Sequence, residues 1–144
     1  MPKNILLLSE KDFLALPIIR SLDPVEYTIF VMGPARSAVR FSRFCEKYFS
    51  YPGDTTDNRD DVLVEYINTL TQEYRIDTII PLDLNTTIWV ADHHARLRAP
   101  SLPVSDAATL VRLHDKWELT KLLDELALPY PETILVETRE SLAA

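Results

Sequence analysis

The sequence predicts an α/β fold with a doubly wound, mainly parallel sheet of four to five strands. Short apolar runs of strand length alternate along the chain with stretches whose apolar residues recur at helical spacing. The strand-length runs are apolar without interruption, as in strands that are buried on both faces of a sheet. With 144 residues, of which 47% are hydrophobic and 26% charged, the chain is long and apolar enough to fold around a core.

The first half of the chain predicts three strands and two helices. We expect the strands at 4–9, 27–33 and 48–52, and the helices at 12–22 and within 35–48. The helix at 12–22 must hold Pro17 in its first turns or bend there, because proline has no N–H to donate. Its apolar stripe at helical spacing consists of Phe13, Leu16, Ile19 and Leu22.

The second half alternates in the same way. We expect helices at 57–75, 85–99, 106–113 and 116–127, and strands at 77–82 and 102–105. The helix at 57–75 has the clearest pattern, with Asp60 and Asp61 at the favourable end of the helix dipole. Its apolar face consists of Val62, Leu63, Tyr66, Ile67, Leu70 and Tyr74. The last residues, from 128 on, start an extended segment without a partner strand, so we expect the chain to be a piece of a longer protein.

Polar side chains follow three of the predicted strands. Ligands of open parallel sheets bind beyond the carboxyl ends of the strands, at the point where the strand order reverses. Residues 33–36 follow the second strand there. The substrate-pocket candidates are Ser9 and Glu10 after the first strand, and Asp83 and Asn85 after the strand at 77–82.

The charge balance restricts the partners. The formal net charge of −7 argues against a nucleic-acid-binding surface, and Glu46 dilutes the only basic cluster, Arg36, Arg40 and Arg43. No apolar run reaches the roughly 18 residues that a membrane span needs, and the run at 5–8 is too short for a signal peptide. We therefore expect neither nucleic acid nor a membrane as a partner, and a cytoplasmic location.

The scarcity of glycine, cysteine and grouped histidine excludes several kinds of site. Gly33 and Gly53 are too few for a P-loop or a dinucleotide fingerprint, which needs two or three nearby glycines so that the backbone can approach phosphates. A single cysteine, Cys45, allows no internal disulfide and no cysteine-based metal cluster. His93 and His94 point about 100° apart on a helix, and no ligand spacing completes a metal site around them.

Lys116 stands at a position where its own helix disfavours a cation. Asp115 is the expected N-cap of the helix at 116–127, and Glu118 stands three residues later, as in a capping box. Lys116 therefore falls in the first turn, where a cation faces the positive end of the helix dipole at a cost on the order of 0.3–1 kcal/mol. From the charge pattern alone, a solvated surface lysine is the simpler interpretation.

The sequence around Lys116 resembles the junction between the first two domains of ATP-grasp enzymes. In that superfamily a Rossmann-like N-terminal domain, the pre-ATP-grasp domain, ends in a helix that carries an Asp-Lys pair, and a proline-containing segment leads into the ATP-binding domain. The resemblance is carried by Ser105, Leu110, Leu113, Asp115, Lys116, Leu123, Leu128, Pro129, Pro131 and Thr133. Residues 42–52 and 77–83 are similar to the second half of such domains in carbamoyl-phosphate-synthase-like members. The resemblance implies a pre-ATP-grasp domain at 1–128 and the start of an ATP-grasp domain at 129–144.

The resemblance also implies a function. The whole enzyme would be a ligase that uses ATP and magnesium to activate a carboxylate as an acyl phosphate, which an amine or thiol then attacks. Lys116 would contact the ATP phosphates, and this domain would form one wall of the acceptor-substrate pocket. The partners implied are ATP and a small-molecule carboxylate or amine, and a homodimer is compatible with them. The family's glycine loop, second lysine and magnesium ligands have no counterpart in these 144 residues, so we expect no catalytic residue, no activity of the chain alone and no tightly bound ATP or Mg²⁺.

Two alternatives come from other classes of protein. A stand-alone, non-catalytic α/β binding or interaction module would have the same sequence pattern over this length. A response-regulator receiver would use the acidic residues Glu10, Asp12 and Asp83, but the segment after the last predicted strand lacks the lysine that such a domain needs. The simpler expectation is that Glu10 and Asp12 cap the first helix.

Overall fold

The structure, a computed structural model, describes residues 2–52, 59–136 and 138. The chain forms two compact units, Met1–Asp106 and Ala107–Ala144. The first contains a four-stranded, all-parallel sheet in the order β3-β2-β1-β4. The strands are β1 Lys3–Leu8, β2 Tyr27–Gly33, β3 Lys47–Ser50 and β4 Thr78–Pro81. The predicted doubly wound α/β fold is confirmed.

The central strand, β1, is buried on both faces. Leu6 lies in register with Phe30 of β2 on one side and with Ile79 of β4 on the other. Leu6 and Leu7 point to opposite faces of the sheet and both are fully buried. Each such leucine contributes about 1.5–3 kcal/mol of hydrophobic stabilisation.

Helices cover both faces of the sheet. Helix α1, Asp12–Ser21, packs on the face of Ile5 and Leu7, whereas α2, Arg59–Tyr74, and α3, Leu84–His93, pack on the opposite face. The two cores are separated by the sheet, as in a doubly wound fold. Among the described residues, no helix is long and apolar enough to cross a membrane.

The buried faces of α1 and α2 differ from the predicted stripes at one residue each. Phe13 of α1 is 72% exposed, and Ala15 is buried instead. Residues two apart on a helix lie about 200° apart, so burial of the small Ala15 against the sheet turns Phe13 to solvent. In α2, Val64 is buried and Val62 is exposed, while the rest of the predicted face packs inward.

The prediction of a helix within 35–48 is wrong. The described segment contains only a single 3₁₀ turn, Ala38–Phe41, followed by tight turns into β3. Asp12 accepts hydrogen bonds from the hydroxyl of Ser37 at 2.5 Å and from the backbone N–H of Ala38 at 2.7 Å. The Ser37 oxygen in turn accepts from the N–H of Val39 at 3.1 Å. These side chains hold the backbone in turns and so compete with helix propagation.

The prediction of a last strand at 102–105 is also wrong. Among the described residues, pairing at this edge is confined to one bridge, in which the N–H of Ile79 donates to the carbonyl of Pro100 at 2.9 Å and the N–H of Leu102 donates to the carbonyl of Ile79 at 2.9 Å. Pro100 and Pro103 lack the N–H that a longer ladder would use. The sheet therefore ends at β4.

The second unit contains the two predicted helices, α4 Ala107–His114 and α5 Lys116–Glu125. They contact each other, and Arg112 and Glu125 form an ion pair at 2.8 Å. Residues 129–136 are in neither a helix nor a strand, and Ile134 is 73% exposed. The predicted domains, 1–128 and 129–144, stay a prediction.

Candidate functional site

The reversal of strand order lies between β1 and β4. Strands β1 to β3 succeed one another outward across the sheet, and β4 then pairs with the free side of β1. In open α/β sheets this switch point forms the ligand crevice at the carboxyl ends of the strands. Glu10 follows β1 there, and Asp83 and Asn85 follow β4.

Hydrogen bonds join three of the four predicted pocket residues at the switch point. The N–H of Glu10 donates to Oδ2 of Asp83 at 2.7 Å. The side-chain amide of Asn85 donates to Oε2 of Glu10 at 2.7 Å. Glu10 and Asn85 are both exposed, so the Glu10 carboxylate is positioned at the crevice without being withdrawn from solvent.

Asp83 holds this arrangement together. It is the N-cap of α3, and its Oδ1 accepts from the N–H of Thr86 at 3.0 Å, while the Thr86 hydroxyl accepts from the N–H of Asp83 at 3.3 Å. The two contacts form a capping box. Since Glu10 occupies the other oxygen, both carboxylate oxygens of Asp83 accept backbone hydrogen bonds.

Ser9 is the fourth predicted residue and lies in the turn before α1. Its side chain accepts from the N–H of Lys11 at 3.2 Å and donates to the carbonyl of Lys11 at 3.0 Å, and only 4% of the residue is exposed. Lys11 is the N-cap of α1 and makes no side-chain cap. The expectation that Glu10 and Asp12 cap α1 is therefore wrong, because Glu10 contacts Asn85 and Asp12 contacts the segment after β2.

The segment at 33–36 lies tightly against the end of β1. A Cβ on Gly33 would lie 2.5 Å from the carbonyl oxygen of Ser9 and 2.6 Å from the Tyr48 hydroxyl. The Tyr48 hydroxyl itself donates to the carbonyl of Pro34 at 2.7 Å. Glycine is required here for close approach of the backbone, and no ligand needs to be invoked.

A pocket of about 300 Å³ opens at the switch point. It lies between the end of β1 and the first turns of α2 and α3. Its described lining consists of Leu8, Glu10, Tyr51, Arg59, Asp60, Leu63, Asn85, Thr86 and Trp89. Of the predicted candidates, Glu10 and Asn85 line the pocket, whereas Ser9 and Asp83 are not part of its described lining.

Sequence reasoning missed Tyr51 as a pocket residue. Its hydroxyl is buried and has no hydrogen-bond partner among the described residues. Burial raises the pKa of Tyr51 far above its usual value, and the carboxylates of Asp83 and Glu10 raise it further. The phenol therefore stays protonated at neutral pH. The signal in the sequence was its place directly after β3, at the same edge of the sheet as Glu10.

Trp89 and Asp60 were also missed, because they belong to two helices that only the fold brings together. The indole N–H of Trp89 donates to Asp60 at 2.9 Å. The ring of His93 stacks on Trp89 with a centroid distance of 4.6 Å, and its Nε2 lies 3.8 Å from Asp60. These contacts hold Trp89 in place at the pocket wall.

Lys116 lies in the second unit, as the first residue of α5. Asp115 caps this helix and accepts from the N–H groups of Trp117 and Glu118, each at 2.9 Å. The reciprocal half of the predicted capping box is replaced, since the Glu118 side chain accepts from Lys121 at 2.7 Å instead. Lys116 is exposed, and within the described part of the chain its ammonium has no hydrogen-bond or ion-pair partner.

The described residues contain no group of three or more histidine, cysteine, aspartate and glutamate side chains arranged to hold a metal. His93, the last residue of α3, and His94, which follows it, lie against backbone carbonyls. Nδ1 of His93 lies 2.8 Å from the carbonyl oxygen of Trp89, and Nδ1 of His94 lies 2.8 Å from that of Ala91.

Solved structures with this fold exist, although the sequence matches no protein-family profile and no curated protein sequence. The biotin carboxylase domain of a single-chain bacterial carboxylase aligns with a TM-score of 0.57 and 16% identity, over 98% of this chain and 33% of that one. The L-amino acid ligase of Bacillus licheniformis aligns with a TM-score of 0.63 and 14% identity, over 90% and 30%. A third is the Hydrogenobacter thermophilus 2-oxoglutarate carboxylase biotin carboxylase domain, a dimer in complex with MgADP, ADP and bicarbonate, with a TM-score of 0.56 and 14% identity over 90% and 28%.

These likenesses establish the fold of the chain. Identities of 14–16% are too low to carry individual residues from those proteins to this one. The chain spans about a third of their length, at 33%, 30% and 28%.

Proposed function

We propose that the chain is the N-terminal, pre-ATP-grasp domain of an ATP-grasp ligase. The solved structures that resemble it are ATP-grasp carboxylases and a ligase, and the sequence around Lys116 resembles the same superfamily independently of the fold. The observation that carries the proposal is the environment of Lys116, an exposed cation without an ion pair among the described residues, at a capped helix N-terminus. The dipole and the ammonium there attract an anion together.

In the proposed enzyme, ATP supplies the phosphoryl group that turns a carboxylate into an acyl phosphate, and magnesium screens the phosphate charge. Lys116 would hold an ATP phosphate by charge and hydrogen bonding. Glu10 and Asn85 would contact the acceptor substrate, while Ser9 and Asp83 stay candidates for the same pocket. The predicted amine or thiol acceptor, the carbamoyl-phosphate-synthase-like assignment, the cytoplasmic location and the homodimer also stay predictions.

The proposal is tested by ADP release from the full-length protein that contains this chain. Lys116→Met should lower ATP turnover on the order of 100-fold, because a preorganised charge contact to phosphate is lost. Lys121→Met is the matched control, since it removes a lysine from the same helix whose ammonium already pairs with Glu118. Turnover of Lys116→Met within twofold of the Lys121→Met control would remove Lys116 from the nucleotide site.

The proposed ligase and the alternative, a stand-alone binding or interaction module, predict different sequences beyond residue 144. A reading frame that continues for about 200 residues, the size of one further domain, with a lysine and a late Glu-x-Asn motif favours the ligase. The 144-residue chain should release no ADP by itself, because the family's glycine loop and magnesium ligands are not in it. ADP release by this chain that a mock purification does not show would contradict the proposal. It would mean that these 144 residues are catalytic by themselves.

A further inference from the structure

We propose that the connection between β2 and β3 is a docking surface for an acidic segment of a partner protein. The surface consists of Arg36, Arg40, Phe41 and Arg43, which we call the basic patch. None of these four residues is in the described lining of the switch-point pocket. The inference goes beyond the proposed function, because it concerns a protein partner and needs neither ATP nor a ligase activity.

The three arginines of the basic patch are exposed, and none has a carboxylate partner among the described residues. Residues 36–47 contain four cations and a single anion, Glu46, although the whole chain has a net charge of −7. The carboxylate of Asp12 lies against the same turn, but it accepts hydrogen bonds from the Ser37 hydroxyl and the Ala38 N–H. The basic patch therefore presents positive charge that a partner can neutralise.

Phe41 adds an apolar anchor to this charge. Among the described residues it is the most exposed large apolar side chain, at 84%. The guanidinium carbon of Arg40 lies 5.3 Å from the centre of its ring, so a cation and an aromatic face are presented side by side. Arginine and aromatic residues are enriched at protein–protein interfaces and among the residues that dominate their affinity. A segment that supplies both carboxylates and an apolar side chain complements this surface.

The backbone beneath the basic patch is fixed by side chains. Ser37 caps the 3₁₀ turn Ala38–Phe41 by accepting from the N–H of Val39 at 3.1 Å, and the Asp12 carboxylate joins the same turn to α1. Val39 itself is buried in the core, with 1% of the residue exposed. Since this backbone is already ordered, binding of a partner loses less conformational entropy than binding to a flexible loop would.

A groove of about 320 Å³ adjoins the basic patch, and Arg40 belongs to both. The described lining of the groove consists of Arg40, Cys45, Glu46, Lys47, Tyr48 and Ser50. Its two cations, Arg40 and Lys47, outnumber its one carboxylate, Glu46. The groove therefore extends the positive charge of the patch, and its concave shape fits a chain segment better than a flat bilayer.

The charges of the whole chain decide between the possible occupants. In a symmetric dimer with a second copy, the basic patch would meet itself, and arginines would face arginines. Nucleic acids and anionic membranes have extended negative surfaces, which a chain of net charge −7 meets with overall repulsion. A single acidic segment contacts the patch and the groove alone, so it avoids the acidic remainder of the surface.

The test is a titration of the 144-residue chain, followed by two-dimensional NMR at low ionic strength. The probe is the synthetic peptide Glu-Asp-Phe-Asp-Glu-Leu-Glu-Asp, capped at both ends, and two matched peptides carry Gln and Asn, or Lys, in place of its acidic residues. The acidic peptide should shift the backbone amides of Arg40, Phe41 and Arg43, and should bind at least about tenfold more tightly than the neutral peptide because it meets an opposite charge. No shift with the acidic peptide, or an equal affinity of the neutral peptide, overturns the proposal.

Variants locate the binding on the patch. Phe41→Ala removes the apolar anchor and should lower the affinity for the acidic peptide about fivefold or more. The double variant Arg40→Gln, Arg43→Gln should lower it about tenfold. The control double variant, Arg20→Gln, Arg98→Gln, changes the net charge equally at exposed arginines of other elements and should leave the affinity unchanged. Equal losses in the two double variants, or wild-type affinity in both patch variants, would contradict the proposal.

Other occupants are separated by further measurements. Vesicles of phosphatidylserine and phosphatidylcholine should not sediment the chain, and a DNA duplex should not shift the amides of the basic patch. Binding of either that the double variant Arg40→Gln, Arg43→Gln abolishes would assign the patch to a membrane or to nucleic acid instead. Dimerisation of the chain that is lost in the same variant would assign it to a second copy. None of these measurements uses ATP, so their outcome is independent of the proposed ligase function.

Discussion

The backbone N–H of Glu10 donates to the carboxylate of Asp83 at 2.7 Å, across 73 residues of sequence. The bond joins the carboxyl end of the central strand to the N-cap of α3. Together with the bond from the N–H of Leu82 to the carbonyl of Leu8 at 2.9 Å, it fastens the two strand ends to each other at the switch point. We expect the stability of this part of the protein to depend on this bond.

Replacement of Asp83 by alanine should destabilise the fold by about 2 kcal/mol, the upper end for loss of an N-cap. The variant loses the cap on Thr86 and the bond from Glu10 together. Asp115→Ala, which removes a cap whose two bonds both stay within α5, should cost about 1 kcal/mol. Urea unfolding followed by circular dichroism measures both, and a smaller loss for Asp83→Ala than for Asp115→Ala would show that the bond from Glu10 contributes nothing.

Replacement of Lys116 by methionine should leave stability unchanged or raise it by up to roughly 0.5 kcal/mol, because a cation leaves the positive end of a helix dipole. Lys121→Met should instead lose about 0.2–0.5 kcal/mol with the ion pair to Glu118. The free energy of unfolding in urea separates these outcomes. A loss of several kcal/mol in Lys116→Met would make this lysine structural.

Replacement of Arg75 by glycine should stabilise the protein by about 1 kcal/mol relative to Arg75→Ala. Arg75 has a φ of 50°, in the left-handed region, and the N–H of Ile76 donates to the carbonyl of Thr71 at 3.0 Å. This is the end of a helix in a Schellman motif, where glycine avoids the strain of a Cβ. The alanine variant controls for the lost charge. Equal thermal midpoints for the two variants would show that the φ carries no strain.

The thiol of Cys45 should react slowly in the folded protein. Burial is the main cause that raises its pKa from 9.0 to about 11. At pH 8 this lowers the thiolate fraction about 100-fold, and alkylation by iodoacetamide should slow by a similar factor relative to the chain unfolded in urea. The folded state holds the proton more tightly, so this group's contribution to stability is complete below pH 9 and is lost as the pH rises towards 11. Equal alkylation rates in the folded and unfolded chains would show that the thiol is not protected.

The local pattern of the sequence was sufficient for most helices and strands. The runs that became β1, β2 and β4 were predictable because an apolar run of strand length has few other ways to be buried. The segment at 35–48 failed because Asp12, a residue of another element, binds its backbone. The segment at 102–105 failed because prolines limit its pairing to a single bridge.

The candidate site, like the fold, was predictable from the sequence only in part. The sequence by itself determined that Ser9, Glu10, Asp83 and Asn85 follow strands, and that Lys116 begins a capped helix. Only the tertiary structure decided that β4 pairs with β1, which puts Asn85 beside Glu10, and that Tyr51 and Trp89 complete the pocket. The physical reason is that hydrophobic burial is non-directional. The apolar strands resemble one another, so the sequence of one strand does not determine which strand pairs with it. The order of the strands is settled by the packing of helices on both faces of the sheet at once.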